Sequence, residues 1–497
     1  MANNINTQST ALAKSQEKRF IKSLARIDIT LFIVAAIISL DTIATIAKGG
    51  SQSLFWAVFV ALTFLIPISM LMAETGSAFA EEGGLYQWVK YAYGRLPAGI
   101  ASVLYWITNP LWLGGSLCFI AFDAFSGYVI EIKGGSIGEW IFKLAFIWTA
   151  IYLAIINLKL GKRFISAGAI AKLVVISSLV ITTAIYGIKN GFQPFDFDGL
   201  TPTLGGFIAI APVILFSYVG FEAPNAASGE MFDPKKDTAP AIRRGSFIAT
   251  LAYILPVLAI ILIVPNGELE GLTGFLGAVN EVYSVYGGAA DFLVGLTALL
   301  FIFGLLSLGS AWMMATDRIQ AIAAADGAFF SGWFGEFSAK FGTPVRVNLL
   351  SGAMSSTFLI AAMTLVNGDA ASIFTVVLVC AISTLLVSYI IIIPSVMKLN
   401  RTRRDVVRAY EVPGGVRGFQ VIGSILFFYI CIGSIGVVFP GTLESVFGIE
   451  YNFQEIWGMA RADVQLFTAG TMLVVILISI AGYVGGKKLR EELANSK

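Results

Sequence analysis

Three ionisable side chains stand where an otherwise apolar sequence should exclude them. Asp41 follows Ser39-Leu40 and precedes Thr42 in the run 29–47; Lys172 lies in the run 165–187; Glu222 closes Phe216-Ser217-Tyr218-Val219-Gly220-Phe221. A charge at bilayer depth is costly, so such residues face protein or water and mark functional positions. Acids there can carry protons or hold amines, and an ammonium can pair with carboxylates or backbone carbonyls. Each also has a plainer reading. Asp41 could sit shallow and bond a neighbouring hydroxyl or lysine, and Glu222 could be a hydrogen-bonded structural acid. Lys172 lies about two turns into its run, at about 1.5 Å per residue, and either snorkels to the surface or pairs in the core. Asn109, in Thr108-Asn109-Pro110, faces a cavity or bonds between helices.

The elements that must position these groups are membrane helices. Of the 497 residues 57% are hydrophobic and 13% charged, and the mean hydropathy is +0.81. Repeated apolar runs of some twenty residues make an all-α polytopic membrane protein. Twelve spans are expected, near 29–47, 53–73, 98–130, 138–158, 165–187, 204–231, 245–264, 289–315, 346–366, 370–397, 418–439 and 464–485. Of 33 Lys and Arg, 27 fall on one side of this arrangement, five on the other (Lys48, Lys133, Lys143, Lys189, Arg461), and Lys172 lies within a span. That asymmetry puts both termini in the cytosol. The polar, basic residues 1–28 read as a cytosolic tail rather than a signal peptide, and 486–497 as a second tail.

The span 204–231 carries a Gly, a carboxylate and a Pro at its middle, which interrupt a helix. A broken helix in lipid is tolerated where its freed backbone faces protein or a water-filled cavity, and in secondary transporters that cavity holds the substrate. The first span has a matching pattern, Ser39 with Asp41 against Ser217 with Glu222, in the first position of each run of five spans. Two interrupted helices in matching positions point to an inverted repeat, here 29–187 and 204–398, with helices 11 and 12 in 418–485 added.

Composition excludes other classes. With no histidine and three separated cysteines (Cys118, Cys380, Cys431), His-based catalysis, a metal centre and a disulfide framework have no footing. No grouped acid pair marks an enzyme, and a net charge of +2 gives no nucleic-acid footprint. No cofactor is called for. The partners are a small substrate, the lipid bilayer and, for a symporter, protons; monomer and homodimer both stay open. The outer loop with Glu268, Glu270 and Glu281 could form a lid, and the inner loop Glu81-Glu82-Gly83-Gly84 could cap the opposite mouth.

The run FSYVGFEAPNAASGEMFDPKKD at 216–237 resembles the sixth helix of the amino acid–polyamine–organocation (APC) superfamily. AETGSAFAEEGGLYQWVKYAYG at 73–94 is similar to that family's loop after helix two, and Trp312 with Ala323-Ala324-Ala325-Asp326-Gly327, and YEVPGG at 410–415, match further turns. The closest look is to bacterial glutamate/γ-aminobutyrate antiporters. The resemblance implies a LeuT-like five-plus-five inverted repeat plus two helices. It also implies sodium-independent transport of amino acids or related amines across the cytoplasmic membrane by alternating access, as antiporter or proton symporter. Substrate would lie at Ser39, Leu40, Asp41 and Thr42, and at Phe216, Ser217, Tyr218, Val219 and Gly220, with Phe216 as gate. Asn109 is a further candidate, and Trp312 would shape the side-chain pocket. Lys172 matches a helix-five lysine whose ammonium replaces a sodium ion; Glu222 and Asp41 are the other coupling candidates. One departure stands out: helix one usually reads Gly-Ser/Ala-Gly, and here reads Ser39-Leu40-Asp41. Asp41 then points away to Lys172 or a hydroxyl, is protonated, or receives a substrate amine. The last option makes the chain an amine or polyamine carrier, and a non-transporting sensor is a more distant alternative.

Overall fold

The computed structural model of the protein describes residues 8–17, 20, 22–156, 158–264, 274–365, 370–453, 457 and 460–495. Glu268 and Glu270 of the expected lid lie outside the described residues. Among the described residues the regular structure is helical, apart from an isolated bridge between Leu24 and Met231.

A short α1 (Ala11–Glu17) precedes α2 (Arg26–Ile37) and α3 (Leu40–Ala47), which meet at a 46° bend. Then come α4 (Gly50–Ala78), α5 (Leu85–Tyr93), α6 (Arg95–Tyr128), α7 (Ile137–Ile155), α8 (Leu160–Asn190) and α9 (Leu204–Ser217). A 3-10 run over Ala223–Glu230 leads to α10 (Pro234–Ile261) and α11 (Gly274–Ala325). The chain ends with α12 (Val345–Thr364), α13 (Val376–Thr402), α14 (Gly415–Val438), α15 (Arg461–Gly485) and α16 (Lys487–Asn495). Ten of these helices are long and apolar enough to cross a membrane; the bent pair α2–α3 makes an eleventh, and α9 is a shorter apolar helix.

The local irregularities have sequence causes. Pro67 and Pro110 each lack an N–H and crowd the preceding turn, and widened π turns lie beside them, at Ala61–Leu65 and Leu113–Leu117. The apolar stretch of α6 is wholly buried, which makes α6 central. By contrast α15 exposes Leu466, Leu473, Leu477 and Val484 along one side. An apolar stripe turned outward on a membrane helix faces lipid, so α15 is peripheral.

The described part of the N-terminal tail packs on the bundle. Residues 1–28 read as a polar, basic tail; α2 begins at Arg26, and Thr10, Ala13, Gln16 and Leu24 are buried. Thr10 donates its amide to Asp326 at 3.0 Å and its hydroxyl to the Ala325 carbonyl at 2.6 Å. Arg490 of α16 donates to the neighbouring Gly327 carbonyl, so both ends of the chain dock on one end of the bundle.

Candidate functional site

The site begins with a backbone problem. A helix leaves its last four carbonyls without intrahelical partners, and in a membrane interior they must be satisfied by protein. α2 stops because Ile38 and Ser39 are extended, which frees the carbonyls of Ala35, Ala36, Ile37 and Ile38. Side chains from three other helices take them. Lys172 of α8 donates to Ala35 and Ile38, both at 2.6 Å. Trp312 of α11 donates its indole N–H to Ala36 at 2.7 Å. Tyr253 of α10 donates to Ile37 at 2.7 Å and accepts from the Ser39 amide at 3.0 Å. Lys172 is fully buried, so the snorkelling alternative falls. Its ammonium sits at the negative end of α2, where a cation is favoured.

α3 starts on the other side of the gap. Asp41 lies in its first turn, the favourable end of the helix dipole for an acid. One carboxylate oxygen accepts from the Ser39 hydroxyl in a short contact, and the other from the Trp112 indole at 3.2 Å. Trp112 packs edge-on against Phe216 at 4.9 Å between ring centroids, and against Trp312 at 6.3 Å. Tyr105 adjoins Trp312 at 5.5 Å. These rings, all buried, pack together beside the two breaks. Ser217 closes the gap between them, its hydroxyl 2.9 Å from that of Thr42.

α9 ends at Ser217, and the chain passes through Tyr218 to Phe221 before the 3-10 run begins. Gly220 has φ +113°, a region that side chains other than hydrogen rarely adopt, and a Cβ there would meet the Trp312 ring at 3.0 Å. Its amide donates to the Tyr389 hydroxyl at 3.2 Å. Tyr389 and Tyr105 both donate to the same oxygen of Glu222, each at 2.6 Å. The second oxygen of Glu222 is buried and has no hydrogen-bond partner among the described residues. α6, α13 and the break after α9 are thus tied through one carboxylate.

Two buried charge clusters lie between this centre and the end that carries the termini. Arg318 of α11 forks onto Glu230 at 3.0 and 3.1 Å, and lies 3.9 Å from Glu82. Glu82 also accepts the Gly229 amide at 2.8 Å. Burial first, and the neighbouring Glu230 carboxylate second, push Glu82 well above the usual carboxylate range, against the pull of Arg318. Further along, Asp326 accepts from Tyr86 at 2.8 Å, Lys90 at 3.1 Å and Arg95 at 3.0 Å. The backbone amides of Ser23 and Leu24 donate to the Glu230 carbonyl at 2.8 and 3.0 Å, which stitches the tail over this layer. In the Glu81–Gly84 loop Glu81 is exposed, while Glu82, Gly83 and Gly84 are buried. The Gly83 amide donates to the Ala226 carbonyl in the 3-10 run at 3.2 Å, a Cβ at Gly84 (φ +40°) would meet the Asn225 carbonyl oxygen at 3.1 Å, and α5 behind it is buried along most of its length.

Most residues singled out from sequence converge here. Ser39, Leu40, Asp41, Thr42, Phe216, Ser217, Val219, Gly220, Glu222, Lys172 and Trp312 line or support the two breaks. The Tyr218 ring packs edge-on against Tyr253 at 5.3 Å, and its hydroxyl donates to the Ala57 carbonyl of α4 at 3.0 Å. Asn109 donates to the Gly309 carbonyl at 3.3 Å, an interhelical bond, while its own carbonyl oxygen has no partner among the described residues. The reading missed Tyr105, Trp112, Tyr253 and Tyr389. Their signal was a polar aromatic atom inside an apolar run, which burial requires to be bonded.

Comparison with known proteins gives one consistent answer. A family model described as amino acid permease matches residues 24–478. An uncharacterized transporter of Legionella pneumophila is 28% identical over 412 residues, 81% of this chain and 87% of that protein. The probable agmatine/putrescine antiporter AguD of Lactococcus lactis is 25% identical over 423 residues, 82% of this chain and 86% of that one. The branched-chain amino acid permease BcaP of Bacillus subtilis is 21% identical over 450 residues, 87% and 92% of the two chains.

Proposed function

The chain belongs to the amino acid permease family, and we propose that it carries an amino acid or related amine across the cytoplasmic membrane by alternating access, without sodium. The observation that carries this is the pair of helix breaks brought together at a buried aromatic cluster, with the Ser217 hydroxyl 2.9 Å from that of Thr42. Counting the bent α2–α3 pair and the short α9 with the ten long helices gives twelve crossings, arranged as a five-plus-five repeat with α14 and α15 added. The Lys and Arg asymmetry places both termini in the cytosol.

In this reading the carbonyl end of α9 receives the substrate ammonium, and the amides that open α3 receive a carboxylate where the substrate has one. Phe216 and Trp112 close over it. Asp41 adds a negative charge at the α3 end, so amines, zwitterions and cationic side chains suit the site better than an acidic side chain. The Lys172 ammonium fills the carbonyl cradle that a sodium ion would otherwise need. Glu222 couples substrate to the opening of the far side, because Tyr105 and Tyr389 hold it across three elements. Relatives named as an agmatine/putrescine antiporter and as a branched-chain permease fit this substrate range.

Flux in proteoliposomes tests the proposal. Labelled amino acids and amines should enter saturably, at the same rate when sodium is replaced by choline. Internal substrate that accelerates uptake identifies an exchanger; collapse with the proton gradient identifies a symporter. No saturable flux across a panel of both classes, with folded protein, would sink the reading. Phe216→Ala should cut flux by roughly tenfold or more, the scale for removing a well-packed gating contact, with folding intact; unchanged kinetics would remove Phe216 from the gate.

The Glu82 layer adds a pH dependence. Glu82 is raised where it is buried in this layer, and in the proposed cycle it returns towards its ordinary range once that end opens from this closed form to water. The closed form therefore binds a proton more tightly, and acidification favours it. A cysteine at Ala227→Cys, buried in this layer, should label more slowly at about pH 5.5 than at about pH 7.5, relative to an exposed cysteine at Glu491→Cys. Glu82→Gln should flatten that difference. Faster labelling in acid would reverse the assignment.

A further inference from the structure

A groove of about 640 Å³ runs between the start of α2 and the first turns of α10, and the transport reading gives it no role. Ile27 and Thr30 form one wall; Pro240, Arg243, Arg244 and Phe247 form the other. The spacing is helical on both sides. Ile27 and Thr30 are one turn apart on α2, and Pro240, Arg243 or Arg244, and Phe247 are successive turns of α10. The order along α10 matters: two guanidinium groups come first, and an exposed aromatic follows about 5 Å deeper.

The charges around the groove are unevenly spent. Asp28 is held by Lys162 at 2.8 Å and Asp237 by Arg26 at 2.8 Å. Among the described residues neither Arg243 nor Arg244 forms an ion pair; Arg243 faces the Tyr410 ring at 6.0 Å. Both are exposed. The apolar part is exposed as well, Ile27 at 58% and Phe247 at 67%. Two guanidiniums with no ion pair among the described residues, over an outward apolar slot on membrane helices, present two needs at once, an anion and a hydrocarbon chain.

We propose that this groove is a binding site for an anionic phospholipid, with its phosphate held between Arg243 and Arg244 and an acyl chain laid along Phe247 and Ile27. Arg suits a phosphate because its planar donors can fork onto two oxygens. Basic pockets between membrane helices bind anionic headgroups on the same grounds. A free phosphate would use the guanidiniums alone and make no contact with Phe247 and Ile27. The bound lipid joins α2 to α10 beside the Arg26–Asp237 pair, so it stabilises the folded bundle.

The test uses the full chain, purified and stripped of lipid in a neutral detergent. Phosphatidylglycerol, phosphatidylcholine and glycerol 3-phosphate are added in turn, with melting temperature and lipid retained in native mass spectrometry as readouts. Phosphatidylglycerol should stay bound and raise the melting temperature; the other two should do neither at equal phosphate. Arg243→Gln with Arg244→Gln should weaken retention roughly tenfold or more, as two charges at an anionic headgroup imply. The two single variants, each several-fold weaker, carry the test if the double variant does not purify. Phe247→Ala should weaken retention with both charges kept, while Lys487→Gln with Lys488→Gln should leave it unchanged. Equal protection by glycerol 3-phosphate, wild-type retention in the arginine variants, or equal loss in the α16 variant would each overturn the proposal.

Discussion

Lys172→Met should abolish transport and lower stability, although its ammonium is expected to touch no substrate. The reasoning starts from the four carbonyls that end α2. Two of them, Ala35 and Ile38, depend on Lys172 at 2.6 Å each, while Trp312 and Tyr253 serve the other two. Methionine keeps most of the aliphatic stem and removes only the donor. Each buried carbonyl left without a partner costs about 1–3 kcal/mol, so for two of them a loss of about 2–6 kcal/mol is expected. The favourable charge at the end of α2 goes too. α2 must then re-form its end or admit water, and the angle at which it meets α3 is no longer held. Lys172→Arg should not rescue it, since a planar guanidinium cannot occupy a fully buried position shaped for an ammonium. Flux per folded molecule in proteoliposomes, with the melting temperature alongside, checks both parts. Wild-type flux in Lys172→Met would show that the α2 end does not need the cation.

The same residue shows what sequence can give. Lys172, Asp41 and Glu222 were legible because an ionisable group in an apolar run is expensive, and expense is informative. The break at Gly220 was legible for a related reason, since Gly and Pro punctuate helices. What the sequence does not carry is where a buried donor is aimed. Tyr253, Tyr105 and Tyr389 look like three of many aromatics in apolar spans, and only the fold shows that each hydroxyl meets a helix break or Glu222. The tail is the opposite case. Its composition reads as a polar, basic tail, but it docks in part through backbone groups, such as the amides of Thr10, Ser23 and Leu24, and every sequence has those. Arg318 was hidden by a boundary. The eighth span was expected to end near 315, which leaves Asp317 and Arg318 in a loop, whereas α11 continues to Ala325 and buries both. Asp317 there accepts from Trp106, Ser351 and Asn348.

That hidden residue carries the second large effect. Arg318→Gln should destabilise the closed bundle by about 3–5 kcal/mol, the scale for removing one partner of a buried ion pair. The guanidinium is the cation shared by Glu230, at 3.0 and 3.1 Å, and Glu82, at 3.9 Å. Without it the buried Glu82 and Glu230 carboxyl groups face each other with no cation between them, and burial and the Glu230 charge push Glu82 up unopposed by Arg318. Glu230→Gln alone should cost less, because Arg318 keeps Glu82. The double variant should be more stable than Arg318→Gln, with a coupling of about 1–3 kcal/mol in the cycle. The sign of that coupling separates electrostatics from packing. Lost packing would make the two costs add, whereas a charge left bare is relieved when its partner is neutralised. Transport adds a second readout. Glu230 reaches the tail through its backbone carbonyl and α11 through its side chain, so Glu230→Gln should loosen the tail-side layer while the stitch to Ser23 and Leu24 remains. Labelling of the cysteine at Ala227→Cys should rise in Glu230→Gln before stability falls. If both variants label at the wild-type rate, the Arg318 cluster holds the fold and takes no part in opening.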